Sequence, residues 1–399
     1  MTCRSCGRST LVEVTNLGRL CVPDFRSDDE VPPRYQLELV RCVTCNLVQL
    51  GETVPRDVLY TDGYGFYSGI NDRTRSELEI IVTAALKAQA PIGEKLRWLD
   101  IGCNDGTLLS FVPDKHYRVG VDPVRKFASL ADEHADEVHV ELFDPNTFDE
   151  PFDVITSVAM FYDLDDPGRF VENVRSVLDD GGLWIVQQND LASMLRDNAI
   201  DNISHEHLTY WSLRSFRDLV RRHGMDVADV AFSDLNGGCM RCFVRKSEVV
   251  GWRANPSVEA SLQAEDQSYL SSPQTYRKFD KRARNVLIDI RDVVREITDA
   301  GERVYVYGAS NRGSTLWQAA GIQQMITCAV ERNPDKVGLN FSSIGVPIIS
   351  EEQMREDRPE YLLVGPWWFR DMFAQREREY LQKGGALIIP LPEVEVVTG

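Results

Sequence analysis

The sequence is short of basic residues and has no long apolar run. Lys and Arg number 44 against 62 Asp and Glu, which gives a formal net charge of −18. Nucleic acids are held mainly by Lys and Arg, so this balance argues against a nucleic-acid partner, although a few placed Arg side chains still allow a small anionic ligand. The longest apolar runs, such as 183–186, fall far short of the ~20 residues that a membrane-spanning helix needs.

The first residues of the chain also lack the apolar stretch of a signal peptide. We therefore expect a cytoplasmic protein without a membrane partner. In a reducing compartment its nine cysteines are expected to stay out of disulfides, so their spacing becomes the informative feature. A chain of 399 residues is long enough for two or three domains.

Four of the cysteines form two Cys-x-x-Cys pairs near the N-terminus. They are Cys3, Cys6, Cys42 and Cys45. A gap of two residues lets both thiolates of a pair face one ion, and two pairs complete a tetrahedral zinc site. Gly7 and Asn46 directly follow the pairs, where a turn with positive φ is useful. The intervening segment has too little apolar sequence for its own core, so a structural metal would stabilise it; the alternative is four unrelated buried cysteines.

A third pair with the same spacing, Cys239 and Cys242, lies in a segment that alternates like a strand. Side chains three positions apart on a strand point to opposite faces, so these two thiols cannot easily share one ion. We interpret both as packing residues.

Residues 97–109 have the pattern of a strand, a glycine-bearing turn and a helix. The glycines allow the backbone to approach a ligand closely, and the start of the helix favours an anionic group. The residues of this loop that we expect to contact a cofactor are Asp100, Gly102, Asn104, Asp105 and Gly106. One such loop alone is weak support, because many α/β proteins carry one.

A second strand, 117–121, ends at Asp122 and Pro123, where a doubly wound fold places a carboxylate on ribose hydroxyls. A third strand is expected to end near Phe143 and Asp144, in position to meet an adenine. The loop lacks the third glycine of the dinucleotide fingerprint, so the pattern fits S-adenosylmethionine (SAM) better than NAD. A generic α/β domain without SAM is the alternative.

His205, Glu206 and His207 follow the fifth predicted strand, in a chain with only six histidines. Adjacent side chains diverge and a zinc site is already assigned, so a second metal site is the less favoured interpretation. We interpret the triplet as a general-base site, in which a histidine accepts a proton near neutral pH and a neighbouring carboxylate orients its ring. A solvated turn is the alternative.

The last third of the chain begins with a polar stretch, 251–273, that suggests a connecting segment. A long amphipathic helix over 276–300 follows, and then a second strand–loop–helix unit in which Asn311 and Arg312 lie between two glycines. We interpret this unit as a nucleotide-type substrate site, because sites in such folds lie at the carboxyl ends of strands. A copy kept only for packing is the alternative.

The predicted architecture is therefore α/β in three parts. A small zinc-binding module occupies 1–62, a doubly wound SAM-dependent methyltransferase domain occupies 63–247, and a Rossmann-like substrate-binding domain occupies 248–399.

Together these motifs resemble those of the zinc-containing, SAM-dependent C-methyltransferases that act on nucleotide-linked 4-keto-deoxysugars. The resemblance covers nearly the whole chain. Besides the cysteine pairs, the shared segments are 64–69, 100–106, 205–207, 237–238 before Arg241, 308–313, 365–367 and 389–394.

The resemblance implies that His207 removes a proton next to the ketone, helped by Glu206, with His205 beside them. Tyr67 or Tyr162 would stabilise the enolate oxygen before its carbon attacks the SAM methyl. It also implies a small-molecule partner, a nucleotide-linked sugar, held by substrate-binding residues. These are Tyr64, Arg241, Asn311 and Arg312.

Several positions depart from that family. Ser204 replaces the usual Tyr or Cys before the triplet, Tyr162 stands where many members have His, and Trp368 stands where Asn is common. These changes concern the substrate pocket rather than the SAM loop. Two alternatives therefore stay open: methylation of oxygen, nitrogen or a non-sugar carbon of a natural-product intermediate, and a non-catalytic protein that binds SAM or a nucleotide.

Overall fold

The computed structural model describes residues 1–28, 30–59, 67–89, 95–248 and 252–399. The strands are β1 (Leu11–Cys21), β2 (Phe25–Arg26), β3 (Arg34–Cys42), β4 (Val48–Leu50), β5 (Arg97–Ile101), β6 (Tyr117–Val121), β7 (Glu137–His139), β8 (Phe152–Val158), β9 (Leu178–Asn189), β10 (Thr209–Tyr210), β11 (Met225–Ser233), β12 (Cys239–Lys246), β13 (Val304–Tyr307), β14 (Ile326–Glu331), β15 (Asn340–Phe341), β16 (Val346–Ser350), β17 (Tyr361–Val364), β18 (Ala386–Ile389) and β19 (Glu395–Thr398). The helices are α1 (Arg56–Leu59), α2 (Asp72–Gln89), α3 (Thr107–Ser110), α4 (Arg125–Ala131), α5 (Pro167–Val177), α6 (Leu191–Arg196), α7 (Leu213–Arg222), α8 (Pro256–Gln267), α9 (Pro273–Asp299), α10 (Asn311–Ala320), α11 (Glu351–Asp357), α12 (Arg370–Arg376) and α13 (Arg378–Gln382).

The central sheet has seven strands in the order β11-β12-β9-β8-β5-β6-β7. The strands from β9 to β7 are parallel, and β12 and β11 add an antiparallel hairpin at one edge. Alternate residues of β8 face opposite sides: Val154 packs in a core with α2, and Ile155 packs in a core with α5 and α7. Both faces are thus covered, which is why β8 is almost continuously apolar. The predicted doubly wound α/β domain is confirmed.

The N-terminal strands form a four-stranded antiparallel sheet in the order β1-β3-β4-β10. Its last strand, β10, comes from the central part of the chain and begins two residues after His207. The apolar side chains of β3, such as Leu37 and Leu39, are buried in the same core as Val304 and Val306 of β13. The N-terminal module therefore shares its core with the C-terminal part.

The third sheet has eight strands in the order β19-β18-β17-β13-β14-β16-β15-β2. Its five central strands are parallel, as in a Rossmann-like unit, and β2 of the N-terminal module pairs with β15 at the far edge. The long helix α9 begins after Ser272, whose side chain accepts the N–H of Gln274, and covers this sheet with its apolar stripe. The domain boundaries predicted from the sequence stay a prediction, because β10 and β2 each pair in the sheet of another part of the chain.

Two elements differ from the sequence prediction. The stretch 251–273 contains the helix α8, of which Val258, Leu262 and Glu265 are buried, too few apolar residues to show a clear period. The third strand of the central sheet, β7, ends at His139 rather than near Phe143 and Asp144. It is an edge strand, and Leu142 beyond it is 58% exposed, so this apolar residue does not extend the strand. Among the helices of the described ranges, none is long and apolar enough to cross a membrane.

Candidate active site and metal centre

The cysteine pairs meet at one point. The thiols of Cys3, Cys6, Cys42 and Cys45 all lie within 4.8 Å of one another. Cys3 Sγ is 3.5 Å from Cys45 Sγ, and Cys6 Sγ is 3.6 Å from Cys42 Sγ, so each close contact joins the two pairs. Tetrahedral coordination with Zn–S bonds of ~2.3 Å places sulfurs about 3.8 Å apart. Four sulfur donors at this spacing fit zinc.

Each pair is a knuckle with the same backbone geometry. The N–H of Gly7 donates to the Cys3 carbonyl at 2.8 Å, and the N–H of Asn46 donates to the Cys42 carbonyl at 2.9 Å. Gly7 has φ 71° and Asn46 has φ 61°, the positive values expected from the sequence. Among the described residues, the four cysteines of the two knuckles are the ones whose thiols cluster. The Cys239 thiol instead contacts the Leu235 carbonyl at 3.2 Å.

The proposed cofactor loop runs from the end of β5 to the start of α3. Gly102 and Gly106 both have positive φ, at 77° and 74°. A Cβ at Gly106 would lie 2.7 Å from the Ala131 Cα of α4, and one at Gly102 would lie 3.1 Å from the Met160 Cγ. Glycine at 106 thus lets the loop pack directly against the backbone of α4.

Two acids support this loop. Asp122, at the end of β6, accepts the N–H groups of Asn104 at 2.9 Å and Val124 at 2.8 Å. It is half-buried, and burial raises its pKa. Asp100 is buried under the loop and accepts the Thr156 hydroxyl at 2.7 Å, and burial raises its pKa to about 7. Asp122 lies where a ribose hydroxyl is expected to bind.

The segment 67–69 lies on this loop. The N–H of Ser68 donates to Asn104 Oδ1 at 3.0 Å, and the N–H of Gly69 donates to Asp105 Oδ2 at 2.8 Å. The Tyr67 hydroxyl donates to an Asp335 carboxylate oxygen of the C-terminal part at 2.8 Å. Burial and this carboxylate raise the pKa of Tyr67 to about 12. Tyr64 lies outside the described residues.

Phe143 and Asp144 lie in the loop after β7. The Phe143 ring packs against Phe148 and Phe170, with ring centroids 6.3 Å and 5.6 Å apart. Asp144 Oδ1 accepts the N–H of Asn146 at 3.0 Å and so caps a short 3-10 turn. The contact of both residues with an adenine stays a prediction.

His207 is held as a neutral base. Its Nδ1 lies 2.9 Å from the Asn202 carbonyl oxygen. Because a carbonyl can only accept, Nδ1 carries the proton and Nε2 carries the lone pair. Burial, together with the positive charge of Arg312, lowers the pKa of His207 to about 4. Its ring centroid is 4.4 Å from that of Tyr162.

The three residues of the triplet contact three different parts of the protein. His205 Nε2 lies 3.4 Å from the Tyr35 carbonyl oxygen of β3, and burial lowers the pKa of His205 to about 4. Glu206 Oε1 accepts from Asn311 Nδ2 of α10 at 2.5 Å, and burial raises the pKa of Glu206 to about 7. Successive side chains diverge, so Glu206 bonds Asn311 while the Asn202 carbonyl holds the His207 ring. The help that Glu206 gives to His207 stays a prediction.

The structure also brings Arg312 to this segment. Its guanidinium forms an ion pair with Asp201 at 2.6 Å, donates to the Asn236 carbonyl at 2.7 Å and lies 4.1 Å from the centroid of the Trp368 ring. Asn311 and Arg312, predicted from the sequence as substrate ligands, thus hold Glu206 and Asp201 in this structure.

Arg241 is in a buried network of its own. Its Nε donates to Gln187 Oε1 at 2.8 Å, and its terminal nitrogen pairs with Glu77 Oε1 at 2.6 Å. This network joins α2, β9 and β12. A substrate contact of Arg241 stays a prediction.

A cavity of about 1160 Å³ lies between the central and C-terminal parts. Trp367 and Trp368 form part of its wall, together with residues of α6, β11 and α8. Its charged lining has more Asp and Glu side chains than Arg, which disfavours a phosphate-bearing ligand in the cavity itself.

Sequence reasoning missed Asn202, Asp201 and Asn236. Asn202 and Asn236 act through main-chain carbonyls, which any residue supplies, and no side-chain pattern identifies them. Asp201 stands only six positions before His207, but its partner Arg312 is 111 residues away.

Comparisons with known proteins agree with the three-part organisation. The chain matches the families described as "Putative zinc binding domain" over residues 3–60, "Methyltransferase domain" over 73–230 and "C-methyltransferase C-terminal domain" over 234–392. It is 27% identical to the C-methyltransferase NovU of Streptomyces niveus, over 99% of this chain and 96% of the relative.

Two further similarities cover less of the chain. A ubiquinone biosynthesis O-methyltransferase of Caulobacter sp. (strain K31) is 32% identical over 30% of this chain and 50% of its own length. The solved magnesium protoporphyrin IX methyltransferase of Synechocystis PCC 6803 superposes with a TM-score of 0.36 at 13% identity, over 44% of this chain and 89% of that one. The three family matches follow one another along the chain, and a C-methyltransferase is similar to it over its full length. The chain is therefore a SAM-dependent methyltransferase whose N-terminal part is similar to a putative zinc-binding family.

Proposed function

We propose that this enzyme methylates a carbon next to the ketone of a nucleotide-linked keto-sugar, with His207 as the base. The observation that carries the proposal is the state of His207, whose Nδ1–H is held by the Asn202 carbonyl. With the proton on Nδ1, Nε2 is the basic nitrogen of the ring. A carbon acceptor needs such a base, because its C–H proton must leave before the carbon becomes a nucleophile.

A short segment, 160–162, connects the cofactor loop with the proposed base. Met160 contacts the loop at Gly102, and Tyr162, two residues later, contacts the His207 ring. SAM, when bound, supplies a methyl group on a positively charged sulfonium, which is already a strong electrophile. The residues of the chain therefore need to deprotonate the acceptor, position it and exclude water.

We assign the developing enolate oxygen to Tyr162 rather than to Tyr67, because the Tyr162 ring lies against that of His207. The Tyr67 hydroxyl is bonded to Asp335 and lies over the cofactor loop. A hydrogen-bond donor aimed at a developing oxyanion stabilises the transition state more than the ground state. Tyr67 would instead close the site around the cofactor.

The carbon acceptor is supported by the C-methyltransferase relative and by the C-methyltransferase C-terminal family. The nucleotide-linked keto-sugar is supported by the resemblance of the motifs named above. A bound structural zinc is supported by the four-sulfur donor set. A cytoplasmic location stays a prediction.

The test of the acceptor is hydrogen exchange in D2O with a nucleotide-linked 4-keto-deoxysugar and the SAM product S-adenosylhomocysteine, so that no methyl transfer occurs. We expect deuterium at the carbon next to the ketone with the wild-type enzyme and none with His207→Asn. Mass spectrometry measures both. No exchange in this experiment, together with methyl transfer to an oxygen when SAM replaces S-adenosylhomocysteine, would favour the O-methylation alternative and contradict the enolate.

We expect Asp122→Ala to weaken SAM binding about tenfold or more. Losing a hydrogen bond to a charged group costs ~1.5–3 kcal/mol, and 1.4 kcal/mol is about a factor of ten. Titration calorimetry measures the affinity. Glu331→Ala is the matched control, because Glu331 ends β14 of the C-terminal sheet and accepts the Ala309 N–H in the corresponding way. Unchanged affinity in Asp122→Ala with a loss in Glu331→Ala would place the cofactor at the second loop.

A further inference from the structure

The first turn of α10 holds the segment of the proposed base at both of its ends. Asn311 Nδ2 donates to Glu206, which precedes His207. Arg312 pairs with Asp201, which precedes Asn202, whose carbonyl binds His207. Two consecutive residues of the C-terminal part therefore bracket the short turn that carries His207.

The Arg312 contact is specific in geometry as well as in charge. Asp201 is 1% exposed and its Oδ2 accepts both Arg312 Nε at 2.9 Å and Trp367 Nε1 at 3.2 Å. The guanidinium also donates to the Asn236 carbonyl in the turn before β12. A planar fork can make these contacts together, whereas an ammonium group cannot. Removing either partner would leave an uncompensated buried charge, so each member of the pair depends on the other.

The peptide of Asn202 is thereby fixed on both sides. Its carbonyl accepts the His207 Nδ1–H at 2.9 Å and the Tyr210 hydroxyl at 3.2 Å, and the preceding side chain is locked by Arg312. We infer that Arg312 is a positioning residue, which fixes the orientation of His207 from the C-terminal part through Asp201 and the Asn202 carbonyl. The inference rests on the proposed function, since it gives the proposed base a partner.

The charged and titratable groups linked to His207, directly or through one further residue, come from four elements. Tyr162 lies on the turn after β8, Asp201 on the turn before the triplet, Tyr210 on β10 and Arg312 on α10. Glu206 is its neighbour in the chain and points to α10. Arg312 is the cation in this set and disfavours the imidazolium form of His207.

The two members of the ion pair should therefore shift the pKa of His207 in opposite directions. In Arg312→Gln we expect it to rise by about one unit, as a nearby charge typically produces, because a cation that opposed protonation is gone. In Asp201→Asn we expect it to fall, because the remaining cation is no longer balanced. NMR titration of the full-length protein with labelled histidine measures the pKa, and the His207 signal is identified by its loss in His207→Asn.

Arg312→Lys and Arg241→Gln are the controls. Arg312→Lys keeps the charge, so we expect the pKa of His207 to stay near its wild-type value while kcat falls, because the contacts of the guanidinium fork are lost. Arg241→Gln removes another buried arginine whose partners are Glu77 and Gln187, and it should leave the pKa of His207 unchanged. Equal shifts in all variants, or none in Arg312→Gln, would overturn the inference.

The kinetics separate this role from substrate binding and from the proposed function. If Arg312 positions the base, Arg312→Gln should lower kcat and move the acid limb of the pH–rate profile to higher pH. A raised KM for the acceptor, with kcat and the pKa of His207 unchanged, would overturn the inference and make Arg312 a substrate ligand. A shifted NMR titration without any shift of the rate profile would support the positioning role and contradict His207 as the base.

Discussion

His207→Asn is expected to bind SAM normally and to lose methyl transfer by ~10²–10⁴-fold, the usual contribution of a general base. Asparagine keeps an N–H that can reach the Asn202 carbonyl, but it offers no basic nitrogen in place of Nε2. Single-turnover rates with a confirmed acceptor measure the loss, and calorimetry with SAM shows that the cofactor site is intact.

The ranking of neighbouring variants makes this prediction specific. His205→Asn should be milder, because His205 faces Tyr35 of the N-terminal sheet. Glu206→Gln should fall between them, since Glu206 bonds Asn311 and acts on His207 through the shared backbone. Near-normal turnover in His207→Asn together with an inactive Tyr162→Phe would show that Tyr162, rather than His207, carries the proton transfer.

The pH profile follows from the same geometry. Burial lowers the pKa of His207 to about 4, so the neutral base is present throughout the neutral range. Methyl transfer should therefore fall on the acid side only as the pH approaches about 4. If the base had an ordinary histidine pKa of ~6.5, half of the activity would already be lost near pH ~6.5. Rates across this range distinguish the two cases.

The features that could be predicted from the sequence are those whose chemistry lies in side chains at short, fixed spacing. The cysteine knuckles need a defined gap and a turn after each pair, and both are visible in the chain. The cofactor loop needs glycines after a strand, and both Gly102 and Gly106 have positive φ. Local backbone requirements of this kind leave a direct mark on residue choice.

The features that could not be predicted depend on long-range contacts or on the main chain. The Asn202 carbonyl holds His207, but any residue has a carbonyl. The three residues of the triplet contact three parts of the protein because β10, which follows them, pairs in the N-terminal sheet. Such a pairing between distant strands produces no periodic pattern in the sequence. The end of β7 and the helix α8 were misjudged because edge and surface elements bury few apolar side chains.

The double variant Cys42→Ser, Cys45→Ser is expected to lose its zinc completely and to unfold the N-terminal knuckles. Structural zinc binding supplies an apparent ~10–16 kcal/mol in small modules, which have little else to stabilise them. Here β4, which follows Cys45, pairs with β10, which follows His207. We therefore expect the loss of metal to lower methyl transfer as well. Elemental analysis measures the zinc, and the rate assay described for His207 measures the activity.

Cys239→Ser is the matched control, because Cys239 is also a buried thiol in a Cys-x-x-Cys spacing but bonds the Leu235 carbonyl. It should keep one zinc per chain, whereas the double variant should keep none. A full equivalent of zinc in the double variant would show that the metal lies elsewhere. Zinc lost from both variants would point to general unfolding, which circular dichroism would reveal. Zinc lost from the double variant alone, with the central α/β domain still folded, ties the metal to the four thiols and the activity to the β4–β10 contact.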